Sequence, residues 1–125
     1  MTESALRRIF DKTTGHCHFC GDPIVFENRG WTAKPRGHWE VDHVIQRHKG
    51  GIKSAENCLP ACTRCNRLRW HRTGGGLREV LLLGVLAAKE IKAGTRMGHQ
   101  LKELRTTRLA QNVLRRVGSH KPSPR

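Results

Sequence analysis

Apolar positions along the chain recur with helical spacing towards both ends and alternate as in a strand only in the middle. Leu6, Ile9 and Phe10 share one face of a helix predicted over residues 4–12, with Ser4 as its cap and Thr13-Thr14-Gly15 as its break. From Cys17 to about Trp39 the sequence is loop-rich, with Gly21, Pro23, Gly30, Pro35 and Gly37, and Ile24-Val25-Phe26 is its strand-like patch. Trp39 to Ile45 alternates as a short strand does, Lys49-Gly50-Gly51 signals a turn, and Cys58-Leu59-Pro60-Ala61 is extended again. Pro60 has no N–H for a ladder, so that second stretch is an edge strand or a brief one. Thr63 is placed to cap a helix through about Arg72, which Gly74-Gly75-Gly76 ends. The middle of the chain therefore reads strand, turn, strand, helix.

Two further helices follow, over Leu77–Ile91 and from near Gly98 to Val117, with Gly94 between them. The first tolerates Gly84 at about 1 kcal/mol relative to alanine. In the second, Leu101, Leu104, Leu109, Val113 and Val117 fall roughly on one stripe. Leu81, Leu82, Val85 and Leu86 look like packing surface against the rest of the chain or the second helix; a dimer contact is the other reading. Residues 118–125 read as a disordered basic tail. The expected organisation is a zinc-stabilised domain over 1–76, a helical extension over 77–117 and the tail.

Length and charge narrow the class. At 125 residues and 14.2 kDa the chain has room for one small core, of the size often stapled by a metal. Its 24 basic and 10 acidic residues give a net charge of +14, which argues for a polyanionic partner, nucleic acid before membrane surface. Membrane insertion is excluded on length, because the apolar run from Val80 to Ala88 is far short of the roughly 20 residues a span needs. The N-terminus lacks the apolar segment of a secretory signal, so a cytoplasmic, reducing location is expected.

In that setting the cysteines need an explanation other than disulfides. Four of the five fall into Cys17-x-x-Cys20 and Cys62-x-x-Cys65. A pair of thiolates two residues apart lets both sulfurs reach one ion from a tight turn, and two such turns complete a tetrahedron at about 2.3 Å per bond. A structural zinc site is the reading. Being closed, it supplies folding free energy and no open coordination position. His16 and His18 beside Cys17 are expected to be solvent-exposed spectators, and Cys58 a small buried apolar residue.

Between the two knuckles stand Asp42-His43 and Asn57, with Asn66 directly after Cys65. An imidazole is a suitable base for activating water at neutral pH. A carboxylate and an amide oxygen are hard ligands of the kind Mg²⁺ accepts. The stretch Glu40-Val41-Asp42-His43-Val44-Ile45, Gly50-Gly51, Asn57 and Cys62-x-x-Cys65-Asn66-Arg67 resembles the HNH endonuclease family over about residues 6–72.

The resemblance implies an α+β fold built on a ββα-metal core, and an endonuclease that hydrolyses phosphodiester bonds in DNA, double-stranded for preference, leaving 5′-phosphate ends. By position it implies His43 as general base, Asp42 and Asn66 as ligands of a catalytic divalent cation (Mg²⁺ or Mn²⁺), and Asn57 as the brace of the loop and the base histidine. Cys58 stands where many members have leucine, and Gln46-Arg47-His48-Lys49 lacks a proline often found there; neither change removes a group the chemistry needs.

Arg47, Lys49, Arg67, Arg69 and Arg72 are candidates for phosphate contact, and His71 is a further candidate whose position, five residues past Asn66, places it about 140° around the helix. Residues 1–76 carry +6 and residues 77–125 carry +8, so Arg105, Arg108, Arg115 and Arg116 could extend a DNA surface. The alternative functions are a non-catalytic zinc module that binds nucleic acid, a degenerate nuclease included, and an interaction protein whose C-terminal helices form a homodimer.

Overall fold

A computed structural model of the chain describes residues 1–30, 37–45, 54–70 and 75–119. The expected turn at Gly50-Gly51, and the candidates Arg47, Lys49, His71 and Arg72, lie outside the described residues. The architecture is α+β: a two-stranded antiparallel sheet and four helices. Helix α1 spans Glu3–Asp11, strands β1 and β2 span Trp39–His43 and Cys58–Cys62, and α2 spans Thr63–Trp70. Helices α3 (Gly75–Ala93) and α4 (Arg96–Ser119) follow. The order β1, β2, α2 is the ββα unit expected from the sequence.

The core forms where α1 meets the sheet. Leu6, Ile9, Ile24, Trp39, Ala55 and Cys58 are buried together, with Phe10, Phe26, Val41 and Cys62 packed around them. Phe10 meets Phe26 edge-on at 5.5 Å between centroids, and both rings flank Trp39. The indole N–H of Trp39 donates to the Phe26 carbonyl at 3.0 Å, so this large side chain is buried with its polar atom paired. Lys12 enters the same region, donating through Nζ to the Ala55 carbonyl and, at 2.9 Å, to that of Cys58. Burial holds its ammonium below the usual lysine range.

Local details depart from the sequence reading for physical reasons. The cap of α1 is Thr2, whose hydroxyl accepts from the Ala5 N–H at 3.1 Å, and Ser4 lies inside the helix. Pro23 forms one isolated bridge with His16, but Phe26–Asn28 turns as a 3-10 helix instead of continuing a strand. Strand β1 stops at His43, two residues before Ile45. Pro60 pairs with Val41 at an edge, and its carbonyl accepts from the His18 N–H at 2.9 Å. Helix α4 runs on through Gly118 and Ser119, where the composition predicts the start of the tail.

Helix α4 docks on the first knuckle. Asn112 donates to the Phe19 carbonyl at 2.8 Å, Arg108 to the Cys20 carbonyl and Asp22, and Arg115 to the Gly21 carbonyl. Gly21, at φ +79°, admits this contact: a Cβ there would lie 2.6 Å from Arg108 Cδ. Arg108 and Arg115 thus hold the knuckle turn, where the sequence suggested a DNA arm. The apolar stripe expected on α4 packs only in part: Leu101, Leu104 and Leu109 line a cavity against Ala87 and Ile91 of α3, while Leu104, Leu109 and Val113 stay largely exposed. On α3, Leu81, Leu82, Val85 and Leu86 are also exposed, against the expectation that they pack on this chain.

Candidate active site and metal centre

The four cysteines come together as their spacing required. One ligand atom from each of Cys17, Cys20, Cys62 and Cys65 lies within 4.8 Å of all the others. The Cys20 and Cys62 sulfurs are 3.9 Å apart, close to the edge of a tetrahedron with bonds of about 2.3 Å. Backbone amides support the sulfurs: Phe19 N–H points at Cys17 Sγ, Asp22 N–H at Cys20 Sγ and Cys65 N–H at Cys62 Sγ, each at 3.4 Å. The last contact makes Cys62 the cap of α2; the Thr63 hydroxyl expected in that role is buried without a partner. Hydrogen bonds from Cys20, Cys62 and Cys65 push the Cys17 thiol strongly down, while that of Cys65 is pushed up by its bond to Cys17. Four soft sulfur donors this close together fit a tetrahedral cation such as zinc, whose binding displaces the thiol protons.

Strand alternation turns Glu40 and Asp42 towards α2 and leaves Trp39 and Val41 on the core side. Two polar groups result. In the first, Glu40 accepts from Asn66 Nδ2 and Arg67 Nε, both at 3.1 Å. In the second, Asp42 is fully buried and accepts from His18 Nε2 at 2.7 Å, from Arg69, and from the Trp70 indole N–H at 3.1 Å. Burial would raise its carboxyl, but the His18 hydrogen bond and the charges of His18 and Arg69 outweigh that and hold it below the ordinary carboxylate value.

Arg69 also donates to the Val44 carbonyl at 3.0 Å and lies over the rings of Trp70 and Phe19, at 4.2 and 5.3 Å. It is built into the site from four sides. His18, expected to face solvent, is instead a buried link between the first knuckle and β1. His18, Glu40 and Trp70 are the site residues that sequence reasoning missed. A strand carboxylate facing a covering helix was the available signal, because a buried carboxylate requires donors.

Asn57 sits at the far end of the sheet. Its side chain forms a reciprocal pair with Ile45, accepting from the Ile45 N–H at 3.0 Å and donating to the Ile45 carbonyl at 2.9 Å. The chain leaving His43 is fixed again by Val44 N–H to the Asn57 carbonyl at 2.8 Å. His43 itself pairs in register with Cys58. Its Nε2 is shut from solvent and has no hydrogen-bond partner, and the same holds for Asn66 Oδ1.

Those two orphaned atoms differ in chemistry from Asp42. An unpartnered amide oxygen suits a hard divalent cation. Asp42, the other expected ligand, already accepts from three donors, His18, Arg69 and Trp70. Of the two expected ligands, Asn66 keeps an oxygen without a partner and Asp42 does not.

Comparison with known proteins agrees with the geometry. Residues 17–72 match the HNH endonuclease family, a stretch that contains both knuckles, β1, β2 and α2. The resemblance drawn from the motifs holds over that segment. HNH domains are associated with nuclease activity on nucleic acids and use divalent metals. Helices α3 and α4 lie outside the match. No curated protein and no solved structure matches the chain.

Proposed function

We propose that the HNH domain hydrolyses phosphodiester bonds in DNA, with His43 as general base and zinc as the structural ion at the four cysteines. The observation that carries this reading is the pair of unpartnered buried atoms, His43 Nε2 and Asn66 Oδ1. Polar atoms buried without partners are rare in folded proteins, and here two of the five among the described residues belong to the groups that this chemistry uses. His43, held at the end of β1 by the Asn57 brace, takes the proton from the attacking water. Asn66 offers its oxygen to a Mg²⁺ or Mn²⁺ ion, which when bound neutralises charge developing on the phosphoryl oxygens. The net charge of +14 supports a duplex substrate by attraction to its backbone.

One observation favours a second reading. Asp42 is a fully buried counter-ion of Arg69, as a degenerate nuclease that still binds nucleic acid would have it. The discriminating experiment is incubation of zinc-loaded protein with supercoiled plasmid under Mg²⁺, Mn²⁺ and chelator. Nicked or linear product that needs a divalent ion and carries 5′-phosphate ends supports hydrolysis. Intact plasmid with salt-sensitive binding supports the second reading.

A further inference from the structure

Helix α3 is apolar on nearly every side through its centre, and the described residues leave that surface open. Val80, Leu81, Leu82, Leu83, Val85 and Leu86 are 46–60% exposed. A helix that is hydrophobic all round belongs in a core. Its contact with α4 uses another face: Ala87 and Ile91 line a cavity of about 410 Å³ with Leu101, Leu104 and Arg108, and Gly98 of α4 lies against the Glu90 backbone. At about 100° per residue, Leu82 and Leu86 point roughly opposite to Ala87 and Ile91.

The charges on that outward side are arranged symmetrically. Gly84 is the midpoint of Gly75–Ala93. Leu82 and Leu86 lie two residues either side of it, and Glu79 and Lys89 five. The outward acidic residue, Glu79, therefore has a basic one, Lys89, at the mirrored position. When two copies of α3 lie antiparallel about a two-fold axis level with Gly84, Leu82 of one faces Leu86 of the other, and Glu79 faces Lys89 at both ends. With three basic and two acidic residues, α3 also carries little of the chain's +14, so two copies can approach along it.

We infer that this protein forms a two-fold dimer through the outward face of α3, the occupant being a second copy of the chain and the register being antiparallel about Gly84. Such an interface is isologous, with the same patch on both subunits. The two α3–α4 hairpins then become the halves of a four-helix assembly, an arrangement open to antiparallel helix pairs. The inference is independent of the reaction assigned to the HNH domain, and either can fail without the other.

Sedimentation of the full zinc-loaded chain from about 1 to about 100 μM tests it. The expected species has twice the 14.2 kDa mass of one chain. Leu82→Lys, at a position 60% exposed in one chain, keeps its zinc and helical content but loses affinity by about 100-fold or more. Glu79→Lys and Lys89→Glu each weaken self-association about five- to tenfold, because like charges then face each other at both ends. An equimolar mixture of those two variants restores opposite charges at both ends and recovers association close to the native value. A monomer at every concentration overturns the inference, as does a dimer that survives Leu82→Lys. A mixture no tighter than either variant alone overturns the antiparallel register.

Discussion

Replacing His18 with alanine tests the link between the first cysteine knuckle and the sheet. The His18 and Asp42 side chains are 6% and 0% exposed and meet at 2.7 Å, so solvent screens the contact very little. A hydrogen bond to a buried charged group contributes about 1.5–3 kcal/mol. Loss of a partner from a fully buried pair can reach about 3–5 kcal/mol, but Arg69 and Trp70 remain on Asp42 and keep the effect below that. The imidazole also lies 4.1 Å from the Phe19 ring, and lost ring packing adds about 0.5–1 kcal/mol. The expected cost is about 2–4 kcal/mol. Asp42 is held below its ordinary value of 3.8, so its contribution is complete above that pH and disappears as the pH falls further. Urea unfolding of the zinc-loaded protein near neutral pH is therefore the assay. Combined with Asp42→Asn, the double variant should be less destabilised than the sum of the singles by about 1–3 kcal/mol. A His18→Ala cost under about 0.5 kcal/mol, with strict additivity, would refute the buried link.

Three other outcomes follow from the same geometry. Removing the metal with a chelator should release one zinc per chain and unfold the HNH domain, because the ion joins the two knuckles; a thiol-reactive zinc indicator with far-ultraviolet circular dichroism reads both changes, and an unchanged spectrum after release would contradict the structural role. Asn57→Ala leaves the Ile45 N–H and carbonyl without their partner and should cost about 1–3 kcal/mol, measured by thermal or urea unfolding. Gly21→Ala places a Cβ against Arg108 and Asn112 at positive φ, so protease digestion should cut α4 faster in this variant than in the native chain.

The ββα unit and both knuckles were legible because their signals are local. Strand alternation from Trp39, the turn residues and the two-residue cysteine spacing each lie within a few positions. The brace at Asn57 was legible only through the family resemblance, since its partner Ile45 is 12 residues away. His18 was misread because its partner is 24 residues distant and no periodicity links a knuckle turn to a strand carboxylate. Arg69 looked free for phosphate on charge alone; its place beside Asp42 depends on how α2 lies across β1. The apolar stripes of α3 and α4 identified helices correctly but not what they face. Amphipathic pattern reports that a surface needs covering, and α4 instead uses Arg108, Asn112 and Arg115 to bind the knuckle carbonyls.

The measurement that bears most directly on the central claim compares cleavage and binding in the native protein and His43→Ala. Both are loaded with zinc and given a labelled duplex with Mg²⁺ or Mn²⁺. A general base contributes about 10²–10⁴-fold. The account predicts a cleavage rate reduced by at least about 100-fold, with duplex affinity, zinc content and unfolding midpoint close to native. Equal cleavage by the two proteins, or none by either under both ions, would contradict it.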